Sequence, residues 1–305
     1  MVHGSQGAPV VGQSSATCVT PLRWAGGKRK LVPLLKQFLP THIPRIVEPF
    51  FGGGSVSFGI AATSSMGADT NGELVNFFGQ SATHGQDIVA ILRSLHDDRD
   101  TYLQVRDWSP PTDVERAARF AFLNRTGYFG LYRTNQKGRY NVPYGGGGRL
   151  NLDTFAKGMG ELEEVMRRVS VEHVDYLDLM ARVTGGDVVF LDPPYGASGD
   201  YPFRRYGSLL FSPSDHRRLA AEAERCRRLG AKIYITLPTD PSLLRLYQGW
   251  TVVGERRRGN QLVEVCLTHE PTGCRDMVSS GQWRVPAQVK IVDESEDAPL
   301  TGTDF

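Results

Sequence analysis

The sequence has few cysteines, and they follow no pattern. Only 4 occur in 305 residues, and none is two residues from another. Zinc sites and disulfide frameworks need closely spaced cysteines, in zinc sites often beside histidines. We therefore expect no metal site and no disulfide framework, and a reducing, cytoplasmic compartment. The cysteines are Cys18, Cys226, Cys266 and Cys274.

Excess charge and long apolar runs are also missing. The chain has 35 basic and 33 acidic side chains, a net charge of +2. This balance is too small to indicate a nucleic-acid partner by itself, because that depends on where the charge lies. No apolar run approaches the length of a membrane span, and the N-terminus has no basic-then-apolar signal pattern. We expect a soluble globular protein with no membrane partner.

What the chain does contain is a short apolar run, over residues 187–195, that ends in a polar corner. The run predicts a buried parallel strand that opens into a rigid loop. Consecutive prolines offer carbonyls but no N–H groups, and an ionised Asp192 only accepts hydrogen bonds. An exocyclic amino group fits this corner, with its hydrogens on Asp192 and the Pro193 carbonyl and its ring against Tyr195. Asp-Pro alone is an ordinary turn, but the tetrad with Pro194 is typical of amino-group methyltransferases.

Two glycine-containing loops precede this strand. Residues 24–28 hold two glycines between a tryptophan and a lysine, a pattern that suits either a tight helix entry or a ligand loop. Phe50, Gly52 and Gly54 follow the first predicted strand, where glycines let the backbone approach a ligand, although the spacing is not the dinucleotide fingerprint. Asp69 ends the second predicted strand, where an acid either binds a ribose diol or forms a turn.

Between residues 124 and 144, glycines, arginines and lysines alternate with large apolar and aromatic residues. A buried segment would not tolerate so many cations, and a plain surface loop rarely carries so many aromatics. Arginines suit phosphates and guanine edges, and aromatics wedge into a base stack. The segment predicts a nucleic-acid surface, and a folded loop that covers the core is the alternative.

Taken in order, these motifs closely resemble the Dam-type, or D12 class, DNA adenine-N6 methyltransferases. They are Trp-Ala-Gly-Gly-Lys, Glu-Pro-Phe-x-Gly-x-Gly, Ala-Asp-x-Asn, Asn-Arg-x-Gly-Tyr-x-Gly-Leu-x-Arg with Asn-x-Pro-Tyr-Gly, and Asp-Pro-Pro-Tyr. The likeness covers roughly residues 20 to 270. It implies methyl transfer from S-adenosylmethionine to the N6 of adenine in a specific double-stranded DNA sequence, by base flipping and direct in-line transfer.

The resemblance also implies an α/β fold. Its core is a seven-stranded, Rossmann-like, mostly parallel methyltransferase sheet whose last hairpin is antiparallel. We expect a catalytic domain over 20–76 and 171–270, with a helical target-recognition domain over 77–170. Residues 1–19 are expected to be a flexible tail, 197–211 a lid, and 271–305 a disordered acidic tail.

Site roles carry over residue by residue. The catalytic set is Asp192, Pro193, Pro194 and Tyr195. In the cofactor set, Asp69 would hold the ribose hydroxyls and Lys28 would lie near the methionine end. Asp175 and Tyr176 would lie beside the adenine of the cofactor. The S-adenosylmethionine set is Trp24, Lys28, Phe50, Gly52, Gly54, Asp69, Asp175, Tyr176 and Asp192.

On the DNA side, Arg133 stands where the family reads a guanine, and Tyr128 where an aromatic intercalates. Arg133 together with Leu131 and Pro143, at thymine-methyl positions, indicates a GATC-like site. The full DNA-binding set is Arg23, Tyr128, Leu131, Arg133, Asn135 and Pro143. Phe129, the glycines at 145–148 and Thr236 depart from the family pattern, which bears on the target sequence and rate more than on the reaction.

Other functions stay open from the sequence. The enzyme could methylate adenine at a different DNA site beside a restriction enzyme. The same sheet could act on RNA or a protein amide, or the chain could be a catalytically inactive DNA-binding protein. The oligomeric state, a monomer or a weak dimer on DNA, is also open.

Overall fold

The computed structural model describes residues 20–195, 211–269, 283–286, 290–292 and 301–302. The predicted N-terminal tail and, apart from Phe211, the predicted lid lie outside these residues. Among the helices in the described ranges, none is long and apolar enough to cross a membrane.

The core of the protein is one mixed sheet. Five strands run parallel in the order β3-β2-β1-β4-β5, and β7 and β6 continue the sheet in antiparallel pairing. This confirms the predicted α/β fold, with a mostly parallel sheet and an antiparallel last hairpin. The seven strands are β1 Arg45–Glu48, β2 Ser64–Ala68, β3 Val169–Glu172, β4 Val188–Leu191, β5 Lys232–Pro238, β6 Thr251–Arg258 and β7 Gln261–Thr268.

Three two-residue strands extend the sheet beside β6. They are β8 Trp283–Arg284, β9 Lys290–Ile291 and β10 Thr301–Gly302. The sequence predicts a disordered tail over 271–305, and these short segments differ from that expectation. Trp283 is 2% exposed in the core under β6, so an apolar anchor inside a polar stretch accounts for the pairing there. The rest of the tail lies outside the described residues.

Helices cover the sheet and fill the interval between β2 and β3, where the sequence predicts the inserted lobe. Thr112 and Glu115 form a reciprocal capping box that fixes the start of the lobe helix Asp113–Thr126. The helices are α1 Val32–Leu35, α2 Ser55–Gly59, α3 Gly72–Ser81, α4 Gly85–Arg93, α5 Arg99–Asp107, α6 Asp113–Thr126, α7 Leu152–Met166, α8 Tyr176–Met180, α9 Pro213–Arg228 and α10 Pro241–Leu244.

Strand β4 is buried along its whole length, as its unbroken apolar run predicts. Val188 and Phe190 pack with α1 and α2 on one face of the sheet, and Val189 and Leu191 pack with α8 and α9 on the other. A third core holds α3 to α7 together and includes Phe51 from the loop after β1. The lobe is therefore packed onto the loop next to the end of β4.

Candidate active site and nucleic-acid interface

Acidic side chains gather at the carboxyl edge of the parallel strands. Glu48 ends β1, Asp69 follows β2, and Asp192 follows β4. β1 pairs with both β2 and β4, so the strand order reverses at this point. Open α/β sheets bind their ligands in the crevice at such a switch point. The sheet therefore brings the predicted cofactor acid and the predicted catalytic acid to one edge.

Asp192 is held from two sides. Its Oδ2 accepts a hydrogen bond of 2.8 Å from Lys28 Nζ, and its Oδ1 accepts one of 2.7 Å from the hydroxyl of Thr236 on β5. The Tyr195 hydroxyl lies 3.4 Å from the same Oδ1. Pro193 is buried and Pro194 is exposed. A carboxylate has about four lone-pair positions, so acceptor capacity remains on Asp192.

Lys28 is the cation at the centre of this corner. Its residue is 7% exposed, and its Nζ also bonds the Gly26 carbonyl at 2.8 Å. Burial lowers the pKa of Lys28, but attraction to Asp192 and Glu264 outweighs that effect, so the pKa lies above its ordinary value. Burial raises the pKa of Asp192, and Lys28 opposes that rise. The two side chains form a partly buried ion pair, with Nζ and Oδ2 2.8 Å apart.

Glu48 is a buried acid, and in the described part of the chain it forms no ion pair with a cationic side chain. Its Oε2 accepts hydrogen bonds from the Ser57 backbone N–H at 3.1 Å and the Ser57 hydroxyl at 2.8 Å. Burial raises the pKa of Glu48 to about 8, and the nearby charge of Asp192 adds to the rise. Glu48 is therefore mainly protonated at neutral pH.

The glycine loop after β1 is tightly folded against Trp24. A Cβ at Gly52 would lie 2.9 Å from Trp24 Nε1, and Gly54, with φ +66°, could not carry one without meeting Phe58 at 2.4 Å. Asp69 Oδ2 accepts a hydrogen bond of 2.9 Å from the Gly52 N–H. The structure thus joins the predicted residues of both glycine motifs with the acid after β2.

Aromatic rings continue this surface beyond the loop. Phe50 and Tyr176 stack with ring centroids 5.1 Å apart, and Phe211 closes on both at 5.6 Å. Asp175 is exposed, and its carboxylate accepts the Leu177 N–H at 2.9 Å as the N-cap of α8. Tyr176 therefore lies beside Phe50, while Asp175 also has a structural role at the start of the helix.

The residues after α6 form a hairpin-like projection, which we call the recognition hairpin, over 127–145. Isolated bridges join Gly127 to Tyr144 and Thr134 to Tyr140. Its exposed base carries an aromatic pair: Tyr128 is 47% exposed and Phe129 64% exposed, with ring centroids 4.4 Å apart. Phe129 has φ +53°, a conformation that is unusual for a bulky residue.

The remaining predicted DNA residues lie along the same hairpin. Pro143 O accepts the Tyr128 N–H at 2.9 Å, so these two positions are neighbours. Arg133 is exposed, and Asn141 holds its guanidinium through a side-chain bond of 2.8 Å and a backbone bond of 3.0 Å. Asn135 Oδ1 instead accepts two backbone N–H groups of the turn at 137 and 139. Leu131 is half-buried.

A buried asparagine connects the two halves of the site. Asn124, in α6, accepts the Arg23 N–H at 2.8 Å and donates to the carbonyls of Arg23 at 2.7 Å and Gly130 at 3.2 Å. Arg23 directly precedes the Trp-Ala-Gly-Gly-Lys motif, so Asn124 connects that motif to the recognition hairpin. No local sequence pattern marks this contact.

Next to the exposed aromatics is a basic cavity of about 550 Å³. It is lined by Arg99, Arg106, Tyr128, Pro143 and Tyr144, among others. Arginines beside aromatic rings and open backbone are typical of surfaces that contact nucleic-acid backbones.

Three residues of this corner are not among the predicted site residues: Glu48, which begins the Glu-Pro-Phe motif, Thr236, which departs from the family pattern, and Glu264. Glu264 lies within the mostly apolar strand β7, and Thr236 lies within the buried run of β5, so polar residues inside apolar strands were the available signal. In the part of the chain that the structure describes, no group of three or more metal-ligating side chains occurs.

The chain is similar in sequence to known adenine-specific DNA methyltransferases. The family model for D12 class N6 adenine-specific DNA methyltransferases matches residues 24–257. A retron DNA adenine methylase from Escherichia coli is 32% identical, covering 76% of this chain and 81% of its own. The DNA adenine methylase of Vibrio cholerae is 30% identical over 75% of this chain and 84% of its own. A type II methyltransferase from Lactococcus lactis subsp. cremoris is 28% identical, with coverages of 75% and 84%.

The family match spans more than half of the chain, and it includes the glycine loops, the recognition hairpin and Asp192. The chain therefore belongs to the D12 class N6 adenine-specific DNA methyltransferases.

Proposed function

We propose that this enzyme methylates adenine N6 within a GATC-like duplex site, takes the methyl group from S-adenosylmethionine, and flips the target base out of the helix. The observation that carries the proposal is the corner at Asp192. Its carboxylate sits at the switch point of the sheet, tied through Lys28 to one glycine motif and adjacent to the other.

The residues at the carboxyl edge fit S-adenosylmethionine. Asp69 uses its two oxygens on the N–H groups of Gly52 and Asn71, which leaves lone pairs for a ribose diol. The stacked rings of Phe50 and Tyr176 offer an apolar wall for an adenine. When bound, the cofactor supplies an electrophilic methyl group on a sulfonium sulfur.

At the reacting end, the chain's own residues orient an amine. The adenine amino group is a weak nucleophile because its lone pair is delocalised into the ring. Asp192 and the Pro193 carbonyl accept its two hydrogens, and Tyr195 lies against the base plane, which favours a more tetrahedral nitrogen. Most of the rate enhancement then comes from orientation in an enclosed site. Because Asp192 must be ionised and its pKa is raised, activity should fall as the pH drops through that pKa.

Extruding a base from duplex DNA costs a few kcal/mol, and an inserted side chain offsets part of that cost. Tyr128 and Phe129 are exposed, edge-to-face and next to arginine-lined space, which supports a role as the wedge. The guanidinium of Arg133 is oriented by Asn141, which suits a bidentate contact with guanine. The GATC assignment rests on Arg133, Leu131 and Pro143.

A panel of duplexes tests the target sequence. Methyl transfer is measured on a GATC duplex and on duplexes with each base pair of the site changed. Arg133→Ala should lose roughly 10- to 100-fold of the discrimination at one guanine position, because one bidentate contact is worth about 1–3 kcal/mol. Arg139→Ala, an exposed arginine at the tip of the same hairpin, is the matched control and should weaken all duplexes alike. Equal rates on every duplex with the wild-type enzyme would exclude a GATC-like site.

Base flipping is tested with 2-aminopurine at the target adenine, whose fluorescence rises when it leaves the stack. The wild-type enzyme should raise the signal, and the Tyr128→Ala and Phe129→Ala variants should lower it. Leu229→Ala removes another exposed apolar side chain, one that lies beyond α9, and should leave it unchanged. No rise with the wild-type enzyme would argue against flipping.

A further inference from the structure

Glu264 is a buried acid that the motifs of the sequence do not assign. It lies on β7, opposite Pro238 of β5, and is 2% exposed. A carboxylate so deeply buried is costly unless cations and donors surround it. Its surroundings therefore indicate what it is for.

Three donors meet at this carboxylate. Oε1 accepts a hydrogen bond from the Tyr195 hydroxyl and lies 3.2 Å from Lys28 Nζ, and Oε2 pairs with Arg256 Nε. Two of these donors, Lys28 and Tyr195, also contact Asp192. Glu264 is thus a second acceptor for the groups that compete for the catalytic carboxylate.

Three oxygen atoms surround the Nζ atom of Lys28 in this arrangement. The ammonium donates hydrogen bonds to the Gly26 carbonyl at 2.8 Å and to Asp192 Oδ2 at 2.8 Å, and it forms an ion pair with Glu264 Oε1 at 3.2 Å. Without Glu264, the ammonium would move toward Asp192 and occupy more of its acceptor capacity.

Loss of Glu264 would also move the Tyr195 hydroxyl toward Asp192. Its hydroxyl bonds Glu264 and lies 3.4 Å from Asp192 Oδ1, a long contact. If Glu264 no longer accepted this hydroxyl, Asp192 would be the nearby carboxylate left for it. The ring would turn, and the oxygen needed for the target amine would be taken.

We propose that Glu264 is a positioning residue that holds Lys28 and the Tyr195 hydroxyl away from full engagement with Asp192, so that Asp192 stays open to the amino group of the target base. This inference rests on the proposed function. Glu264 does not touch the reacting atoms. It acts through Lys28 and Tyr195.

The test uses Glu264→Gln and a matched control, Glu255→Gln. Glu255 is a buried acid on the neighbouring strand β6, and it forms an ion pair with Arg257 at 3.4 Å. Single-turnover methyl transfer is measured at saturating duplex and S-adenosylmethionine, with binding of each ligand and thermal melting measured separately. We expect Glu264→Gln to slow transfer by about 10²-fold, because small displacements of oriented groups cost that much. Duplex affinity should stay unchanged, and Glu255→Gln should transfer at the wild-type rate.

A double-mutant cycle with Tyr195→Phe distinguishes the positioning role of Glu264 from a purely structural role. If Glu264 acts partly through the hydroxyl, its replacement costs less in the Tyr195→Phe background than in the wild type. Glu264→Asp, which keeps the charge, should retain part of the rate and serves if the glutamine variant does not fold. Full transfer by Glu264→Gln, or strictly additive effects, would overturn the inference. Inactivity of the wild-type enzyme on every adenine-containing duplex would instead overturn the proposed function.

Discussion

The two ends of β4 carry acids that differ in how they are paired. At the amino end, Asp187 accepts hydrogen bonds from Arg45 Nε at 2.9 Å and Arg45 Nη2 at 2.6 Å. It also accepts one from the Thr184 N–H at 2.7 Å. At the carboxyl end, Asp192 accepts one ammonium hydrogen from Lys28 and one hydroxyl from Thr236.

Under the proposed function, burial and an ion pair do not by themselves mark the catalytic acid, because both carboxylates have them. The planar guanidinium binds Asp187 through two parallel bonds, and the N–H and hydroxyl of Thr184 also donate to it, so four hydrogen bonds hold this carboxylate. The ammonium of Lys28 is a point charge that leaves Asp192 acceptors open. We therefore propose that Asp187 contributes to stability and Asp192 to the chemistry, and the following changes test that division in order of expected effect.

Removing the acid at the carboxyl end should have the largest effect. Asp192→Ala takes away the acceptor that orients the amine, so methyl transfer should fall by at least roughly 10³-fold, the scale of losing one strong transition-state hydrogen bond. Single-turnover assays measure this, and gel-shift binding to duplex DNA should stay near that of the wild type. A variant that still transfers methyl groups at the wild-type rate would end the assignment of Asp192.

Removing the acid at the amino end should act on stability instead. Asp187→Ala leaves Arg45 without its carboxylate, which should cost about 3 kcal/mol of unfolding free energy. Urea denaturation measures the loss. The transfer rate per folded molecule should stay unchanged, and a selective fall in that rate would show that the two ends are not separable.

Glu48, beside the carboxyl end, should make stability depend on pH. Its folded pKa of about 8 lies above its ordinary 4.5, so the folded state keeps a proton that the unfolded state has lost. Stability from this group is present at low pH and falls as pH rises from about 4.5 to about 8. Glu48→Gln has no proton to lose, so it should gain on the order of 2 kcal/mol over the wild type at pH 9. Parallel curves of denaturation midpoint against pH for the two proteins would contradict the assignment.

The smallest effect should come from changing the kind of cation. Arg45→Lys keeps the charge but loses the two-bond geometry with Asp187, which should cost about 1 kcal/mol in urea denaturation. If Arg45→Lys is as costly as Asp187→Ala, charge rather than geometry sets the pairing at this end.

Local sequence patterns predict the main strand of the site and the composition of the recognition hairpin. The unbroken apolar run predicts β4, and the rule that parallel strands place their carboxyl ends at one edge brings Asp69 and Asp192 together. The exposed aromatics and arginines of the recognition hairpin are likewise visible as composition.

Long-range pairing is what the local sequence does not contain. Glu264 reaches the site because β7 runs antiparallel beside β5 in one register, and a shift by one residue would turn it to the other face. Asn124 joins Arg23 across 101 positions of the chain. Such contacts depend on how separate elements pack. The motifs therefore predict residues such as Asp69 and Asp192, but not the buried residues Glu264 and Asn124 that hold the site together.

The most direct test is the identity of the product. The wild-type enzyme is incubated with S-adenosylmethionine and a GATC-containing duplex, and the nucleosides are separated and identified by mass spectrometry. We predict N6-methyladenine at the GATC adenine and none when that base pair is replaced. Methylation of cytosine, or transfer to a structured RNA in preference to the duplex, would contradict the account.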